Sequence, residues 1–255
     1  MDSDTTRQQE AVLERFTRQA SHWGNLAVTD ELVSIVERIA PLPGDRVLDV
    51  AAGSGLVARA FAPRVKEVVA VDLTPAMLER GRESARREGL ENIRFVEGAA
   101  ESLPFAEGEF DLAVTRFSLH HMADPKCVVA EMVRVVRGRG RIAIIDLIAL
   151  DDAELQRRSN ALERARDPSH AWTLSLSELR EIVRGAGATI VDAAAQDRIR
   201  DLEDWFDMAE TDKRDELRAE FEAELLGGQP TGLQPFREGS TLKFHHPIGI
   251  LVARA

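Results

Sequence analysis

The 255-residue chain has no tyrosine, a single cysteine and no surplus of positive charge. Each absence removes a class of protein. Cys127, standing alone, excludes an intrachain disulfide framework and fits a reducing compartment. Without tyrosine the chain lacks one of the rings on which splayed bases stack. At a net charge of -11 its overall field does not attract a phosphate backbone, so no nucleic-acid partner is expected. No window is long and apolar enough to span a bilayer. The opening Met1-Asp2-Ser3-Asp4 lacks the apolar run of a signal peptide. These absences predict a soluble, cytoplasmic protein with no membrane span. His245 and His246 have no third ligand at metal-site spacing, so no metal is expected. There is no internal repeat and no low-complexity tail.

What is present is a hydrophobic share of 44%, enough for one large domain with a sizeable core. Residues 5–20 place Val12, Leu13, Phe16 and Ala20 on one helical face, and Ser21-His22-Trp23-Gly24-Asn25 is expected to break that helix. A second helix follows over 29–39, with Thr29 or Asp30 as N-cap. Strands at 47–50, 67–71, 93–97, 110–115 and 141–147 then alternate with helices at 56–62, 75–88 and 125–136. Strands separated by single helices run parallel, with right-handed crossovers. Unbroken apolar runs such as Val68-Val69-Ala70-Val71 fit a sheet covered on both faces. Beyond it, 151–166 and 177–185 read as helices, the latter with a capping-box-like start at Ser177. Residues 188–194 read as a sixth strand and 202–226 as a charged amphipathic helix. Residues 243–254 read as a last strand, kinked at His246-Pro247 and free to pair antiparallel at an edge. The fold class is α/β: a Rossmann-like, doubly wound seven-stranded sheet, mostly parallel with an antiparallel last strand, and helices on both faces.

The stretch Arg46-Val47-Leu48-Asp49-Val50-Ala51-Ala52-Gly53-Ser54-Gly55 is a buried strand ending in a small-residue turn that starts a helix. Gly53-Ser54-Gly55-Leu56-Val57-Ala58 matches the dinucleotide fingerprint G-x-G-x-x-[GA], and Asp72 closes the next strand, where a ribose would sit. These features fit a nicotinamide enzyme and a nucleoside-binding enzyme equally. Asp49 separates them. A pyrophosphate at the following helix N-terminus is repelled by a carboxylate this close. A ligand bearing an ammonium and a sulfonium is attracted, and S-adenosylmethionine has both, plus a ribose for Asp72.

Five stretches in order carry a family resemblance: 47–55; Val69-Ala70-Val71-Asp72-Leu73-Thr74-Pro75-Ala76-Met77-Leu78; Gly98-Ala99-Ala100-Glu101-Ser102-Leu103-Pro104-Phe105; Phe110-Asp111-Leu112-Ala113-Val114; and His120-His121-Met122-Ala123-Asp124-Pro125. Together they resemble a class I S-adenosylmethionine-dependent methyltransferase of the type 11 domain, of the group containing ubiquinone and menaquinone C-methyltransferases. The resemblance covers roughly residues 44–150 strongly. It implies that Asp49, with the backbone at Ala51 and Gly53 in the turn that Gly55 completes, holds the methionine end of the cofactor. It implies Asp72 on the ribose hydroxyls, Leu73 and Met77 flanking the adenine, and the amide of Ala100 on the ring. The carbonyl of Arg116 would take the cofactor's amino group. Ala99 stands where relatives often carry an acid for the adenine amino group. With Glu101 nearby but turned elsewhere, the 99–101 stretch would recognise adenine through backbone atoms and packing. The spent product would be S-adenosyl-L-homocysteine.

Methyl transfer from a sulfonium is a one-step displacement that needs the nucleophile in line, ~3 Å from the methyl carbon, with water kept out. A general base is needed only when the nucleophile enters protonated. Reacting groups in a doubly wound sheet collect beyond the strands' carboxyl ends. There His120 and His121 are candidate bases, one of them alternatively packing or capping the next helix. Candidate acceptor contacts are His22, Trp23, Asp146, His170 and Trp172. The organisation expected is an N-terminal helical lid over 1–40 and a cofactor-binding core over 41–150. Residues 151–255 continue the same domain, with an acceptor-pocket insertion at 151–176. The function expected is methyl transfer to a small molecule at carbon, oxygen or nitrogen, with the oligomeric state open. Alternatives are a nucleic-acid or protein methyltransferase, a non-methylating S-adenosylmethionine-binding protein, or a dinucleotide oxidoreductase. The first is opposed by Thr115-Arg116-Phe117-Ser118, which is not the Pro-Pro-aromatic loop used on exocyclic amines.

Overall fold

Strands with no polar face must be covered on both sides, and the central strands here are β1 (Arg46–Val50), β2 (Glu67–Asp72) and β4 (Phe110–Arg116), buried almost throughout. The computed structural model describes residues 3–23, 26–209 and 211–255, the side chains of residues 3, 22 and 23 excepted. With β3 (Ile93–Glu97), β5 (Val136–Leu147), β6 (Thr189–Gln196) and β10 (Ile248–Arg254), the strands form a sheet in the order β3-β2-β1-β4-β5-β10-β6. Pairing is parallel from β3 through β5, and β10 runs antiparallel to both neighbours.

Alternate strand residues point to opposite faces, and the two cores divide accordingly. Val47, Val68, Leu112 and Val114 pack with α2 (Asp30–Ile39) and α3 (Leu56–Phe61) on one face. Leu48, Val69, Val71 and Ile144 pack with α5 (Pro125–Val135) and α7 (Leu176–Gly185) on the other. Helix α4 (Pro75–Arg87) links β2 to β3. A third cluster, built on Trp205, Phe206, Phe221 and Phe244, joins α6 (Ala153–Arg166), α8 (Leu202–Asp207) and α9 (Arg214–Leu225) to a small sheet. That sheet has the order β7-β9-β8, with β7 Ile199–Asp201, β8 Phe236–Glu238 and β9 Thr241–His245.

The alternation expected from sequence is present; β5 begins at Val136, five residues before the expected start, β8 was not expected, and four further details differ. Helix α1 (Ser3–Trp23) runs through Ser21, His22 and Trp23 rather than breaking there; Gly24 and Asn25 lie outside the described residues. The cap of α7 is Ser175, whose hydroxyl and Glu178 form the reciprocal box, two residues before the expected start. Residues 202–226 form two helices, because the chain turns between α8 and α9. The last expected strand splits at Pro247, which has no N–H to give to a ladder. Its first part becomes β9 of the small sheet. Its second part, β10, is buried from Ile248 to Ala253 and sits inside the main sheet between β5 and β6, not at its edge. Among the described residues no helix is long and apolar enough to cross a membrane.

Strand order reverses between β1 and β4. In open α/β sheets the crevice beyond the carboxyl ends at that reversal receives ligands. Two of the residues with left-handed backbone, Ala51 (φ 53°) and Phe117 (φ 52°), lie at those two strand ends.

Candidate active site

The turn after β1 is shaped by Ala51, Gly53 (φ 55°) and Gly55 (φ 69°), all left-handed. A side chain at Gly55 would stand 2.8 Å from the Phe95 ring, and one at Gly53 3.1 Å from the Met77 methyl carbon. Conformation requires glycine at both positions and space requires it at Gly55, so the turn carries no side chain there. Asp49 is 1% exposed. Its Oδ2 accepts the N–H of Ala58 in α3 at 2.9 Å, and no described cation lies within ion-pair distance. Burial pushes its pKa up to about 8. Asp72 adds to that rise, while the Ala58 amide and Arg116 oppose it. Asp72 accepts from the N–H of Gly53 (2.7 Å) and of Thr74 (2.8 Å), which ties the turn to the end of β2. Burial raises its pKa too, against the pull of those amides.

The remaining residues of the cofactor set surround this turn in sequence and space. Leu73 is half-buried; Met77 and Ala100 are buried. Ala99 bridges to Ser102. The Glu101 carboxylate is turned to α1, where it accepts from Gln9 Nε2 at 3.0 Å. Its carbonyl accepts the thiol of Cys127 at 3.2 Å.

At the end of β5, Asp146 organises the other side. Its Oδ2 accepts the N–H of Leu119 (2.7 Å) and of Ser118 (3.2 Å), capping the 3-10 turn Leu119–His121. Its Oδ1 lies 2.5 Å from His120 Nδ1. A carboxylate only accepts, so Nδ1 is the donor, and in the neutral ring the lone pair is then on Nε2. His121 is placed differently. Its Nδ1 meets the Ser169 carbonyl at 3.0 Å, and its ring meets the edge of Phe16 of α1 at 5.3 Å. Burial, then the neighbouring His120, hold it well below the ordinary imidazole range. His170 bonds Asn160 Oδ1 through Nε2 at 2.9 Å, and burial pushes its pKa down to about 3. The rings of His121 and His170 stand 4.2 and 5.6 Å from that of His120.

The Trp172 N–H donates to the His120 carbonyl at 3.2 Å. Trp172, Leu119, His120, Asp146 and Ile148 line a crevice of about 10 Å³, too small for more than a water. Next to it, sharing Ile148, opens a cavity of about 300 Å³. Helix α1 reaches across this edge. Gln8 donates to the carbonyls of His121 (2.8 Å) and Ser169 (2.6 Å), and Arg15 ion-pairs with Asp167 while donating to Ser169 Oγ at 2.8 Å. The side chains of His22 and Trp23, expected as acceptor contacts, lie outside the described residues. Sequence reasoning missed Asp146 as the partner of His120. Its signal was an acid interrupting the apolar run Ile142-Ala143-Ile144-Ile145 at the strand's end.

Residues 48–144 match the family model described as a methyltransferase domain, on the sheet order given above. YcgJ of Bacillus subtilis, an uncharacterized methyltransferase, is 44% identical over 133 residues, 52% of this chain and 53% of its own. The demethylmenaquinone methyltransferase of Renibacterium salmoninarum is 38% identical over 112 residues, 44% of this chain and 45% of its own. The chain thus spans about half the length of the curated relatives it matches. The solved structure of the Bacillus subtilis YcgJ protein superposes with a TM-score of 0.80 at 28% identity, covering 89% of this chain and 98% of that one.

Proposed function

We propose that the protein transfers a methyl group from S-adenosylmethionine to a small-molecule acceptor at the carboxyl edge of β1, β4 and β5. The observation that carries this is Asp49: a buried carboxylate, lifted to about 8, with no described cation within ion-pair distance, at a glycine turn. Such a group is poorly placed for an anion and well placed for an ammonium or sulfonium. The cofactor fits on a second count, because the left-handed turn at Gly53 and Gly55 carries no side chain that would stand between its backbone and a ligand.

When bound, S-adenosylmethionine supplies an activated methyl group. Asp49, the backbone of Ala51 and Gly53, and the Arg116 carbonyl hold its methionine end. Asp72 holds the ribose; Leu73, Met77 and the 99–101 backbone hold the adenine. His120 takes the acceptor's proton on Nε2, and Asp146 fixes the tautomer and stabilises the imidazolium that forms. His121, neutral and packed on Phe16, helps hold α1 in place. Helix α1 acts as the lid that excludes water, α2 packing instead in the core; residues 41–150 act as the cofactor core, and 151–176 shape the acceptor pocket, with Trp172 in its wall. The free Cys127, whose thiol pKa burial raises, supports a reducing, cytoplasmic setting.

Calorimetry with S-adenosylhomocysteine against NAD tests the cofactor, and labelled methyl transfer to a panel of phenols, quinones and amines tests the reaction. Tight NAD binding with none of the nucleoside would sink the proposal.

A further inference from the structure

Guanidinium groups without a carboxylate partner stand out in a chain of net charge -11. Arg116 ends β4 beside the cofactor crevice, and its Nε is buried with no partner. Arg198 lies between β6 and β7. Neither side chain forms a hydrogen bond or ion pair with any described residue. Both instead lie over one ring: the Cζ atoms stand 4.1 and 5.5 Å from the centroid of Phe117, the residue with left-handed backbone. Burial, then the like charge of Arg198, pull the Arg116 pKa down to about 10, against weaker support from Glu31, Asp146 and Asp49. Arg200 adds a third cation, whose one side-chain acceptor among the described residues is the Met208 sulfur, at 3.0 Å.

The pair stands between two spaces. Arg116 neighbours the turn that holds the cofactor. Arg198 adjoins the 300 Å³ cavity without lining it: its neighbour Asp197 is in the wall, and the N–H of His246, also in the wall, donates to the Arg198 carbonyl at 2.7 Å. The cavity's own acids are already matched. Glu163 meets Arg166 and His246 Nε2, each at 3.0 Å, and Asp197 meets His245 at 2.8 Å. The cations at its border are not. A partly buried, unpaired cation is unfavourable, and an oxyanion at the border would reverse that with charge-assisted hydrogen bonds. The two carboxylates already in the wall favour a singly charged group over a doubly charged phosphate.

We propose that Arg116 and Arg198 bind a carboxylate of the methyl acceptor, whose apolar body packs against Ile148, Leu233 and Pro247. The substrates are then small carboxylic acids. This rests on the methyl-transfer reading and narrows its substrate class.

The test is calorimetry on the protein saturated with S-adenosylhomocysteine, titrating benzoate, phenylacetate, 4-hydroxybenzoate and octanoate, each against its own amide, with phenyl phosphate as a further arm. At least one acid should bind about tenfold tighter than its amide. Arg198→Gln should bring the two within roughly twofold, and Arg198→Lys should keep part of the difference because it keeps charge but not the fork. Arg198 is half-buried in a loop, so these variants should melt as the parent does. The nucleoside's own affinity should change less than about twofold in Arg198→Gln, since the pair serves the acceptor. Equal binding of every acid and amide overturns the proposal. So does a preference that survives Arg198→Gln, a stronger preference for phenyl phosphate, or a tenfold loss of the nucleoside in Arg198→Gln, which would assign the pair to the cofactor's carboxylate. The acid–amide comparison is repeated without the nucleoside. A protein that ignores S-adenosylhomocysteine then fails the cofactor reading, while the acid preference and its loss in Arg198→Gln still decide the role of the arginines.

Discussion

Asp49 and Asp146 are both buried acids near strand ends, and they are supported differently. Asp146 has backbone amides and His120 around it, whereas Asp49 has one amide. For Asp49 the folded-state pKa, about 8, lies above the ordinary aspartate value of 3.8. The folded protein therefore holds a proton that the unfolded chain releases. Stability contributed by that proton is present at low pH and is lost as pH rises from about 4 to about 8. Asp49→Asn should accordingly gain little near pH 4 and about 2–5 kcal/mol near pH 8, read from urea unfolding of the ligand-free protein. A variant equally stable or weaker at pH 8 would show that the buried charge is not a burden. At the other acid, His120→Ala should lower turnover roughly 10²–10⁴-fold while leaving S-adenosylhomocysteine affinity unchanged. His121→Phe, which keeps the packing on Phe16, should retain most activity. The reverse ranking in a single-turnover assay would move the base to His121.

Among the elements, the glycine turn and α1 define what the site needs from the fold. Gly55→Ala meets both a left-handed backbone and the Phe95 ring at 2.8 Å. It should destabilise by about 1–3 kcal/mol in thermal or urea melts; a neutral effect would mean the turn relaxes freely. Helix α1 is held over the edge by Gln8 and Arg15. The double variant Gln8→Ala/Arg15→Ala should speed amide exchange in residues 3–23 and leave β1 and β4 protected. Uniform acceleration would show that α1 is part of the sheet's own stability rather than a lid. The strands from β1 to β5 were legible because buried parallel strands are written as apolar runs and their helices carry Pro and Gly at the ends. The split at Pro247 was half legible: the kink was visible, but which sheet each half joins depends on partners far away in sequence. The cap of α7 was misread by two residues because Ser175 and Ser177 offer the same chemistry, and only the geometry with Glu178 decides.

At the scale of the whole molecule, the cofactor half of the site was written locally and the acceptor half was not. Asp49, Gly53 and Gly55 lie within a few residues of one another, and Asp72 follows at the end of the next strand. The acceptor side draws on β4, β5, the 160s, the loop at Arg198 and the β9–β10 connection, which only the three-dimensional sheet order brings together. That is why Asp146 was seen as a strand-end acid but not as the partner of His120, and why Arg198 gave no signal at all. The charge layout follows the same division: Arg116, Arg198 and Arg200, partly buried and without a carboxylate partner among the described residues, gather at one border.

Cofactor choice rests on Asp49 meeting a cation. The direct measurement is the pH dependence of S-adenosylhomocysteine binding by calorimetry, with NAD as control and Asp49→Asn beside the parent. Because the ligand's ammonium favours the ionised carboxylate, affinity for the parent should rise with pH, up to about tenfold per unit, and level off near 8, with proton release on binding at pH 7. The Asp49→Asn variant should bind at least about tenfold more weakly near pH 8 and show no such slope. A flat profile in the parent, or an unchanged affinity in the variant, would contradict that role for Asp49.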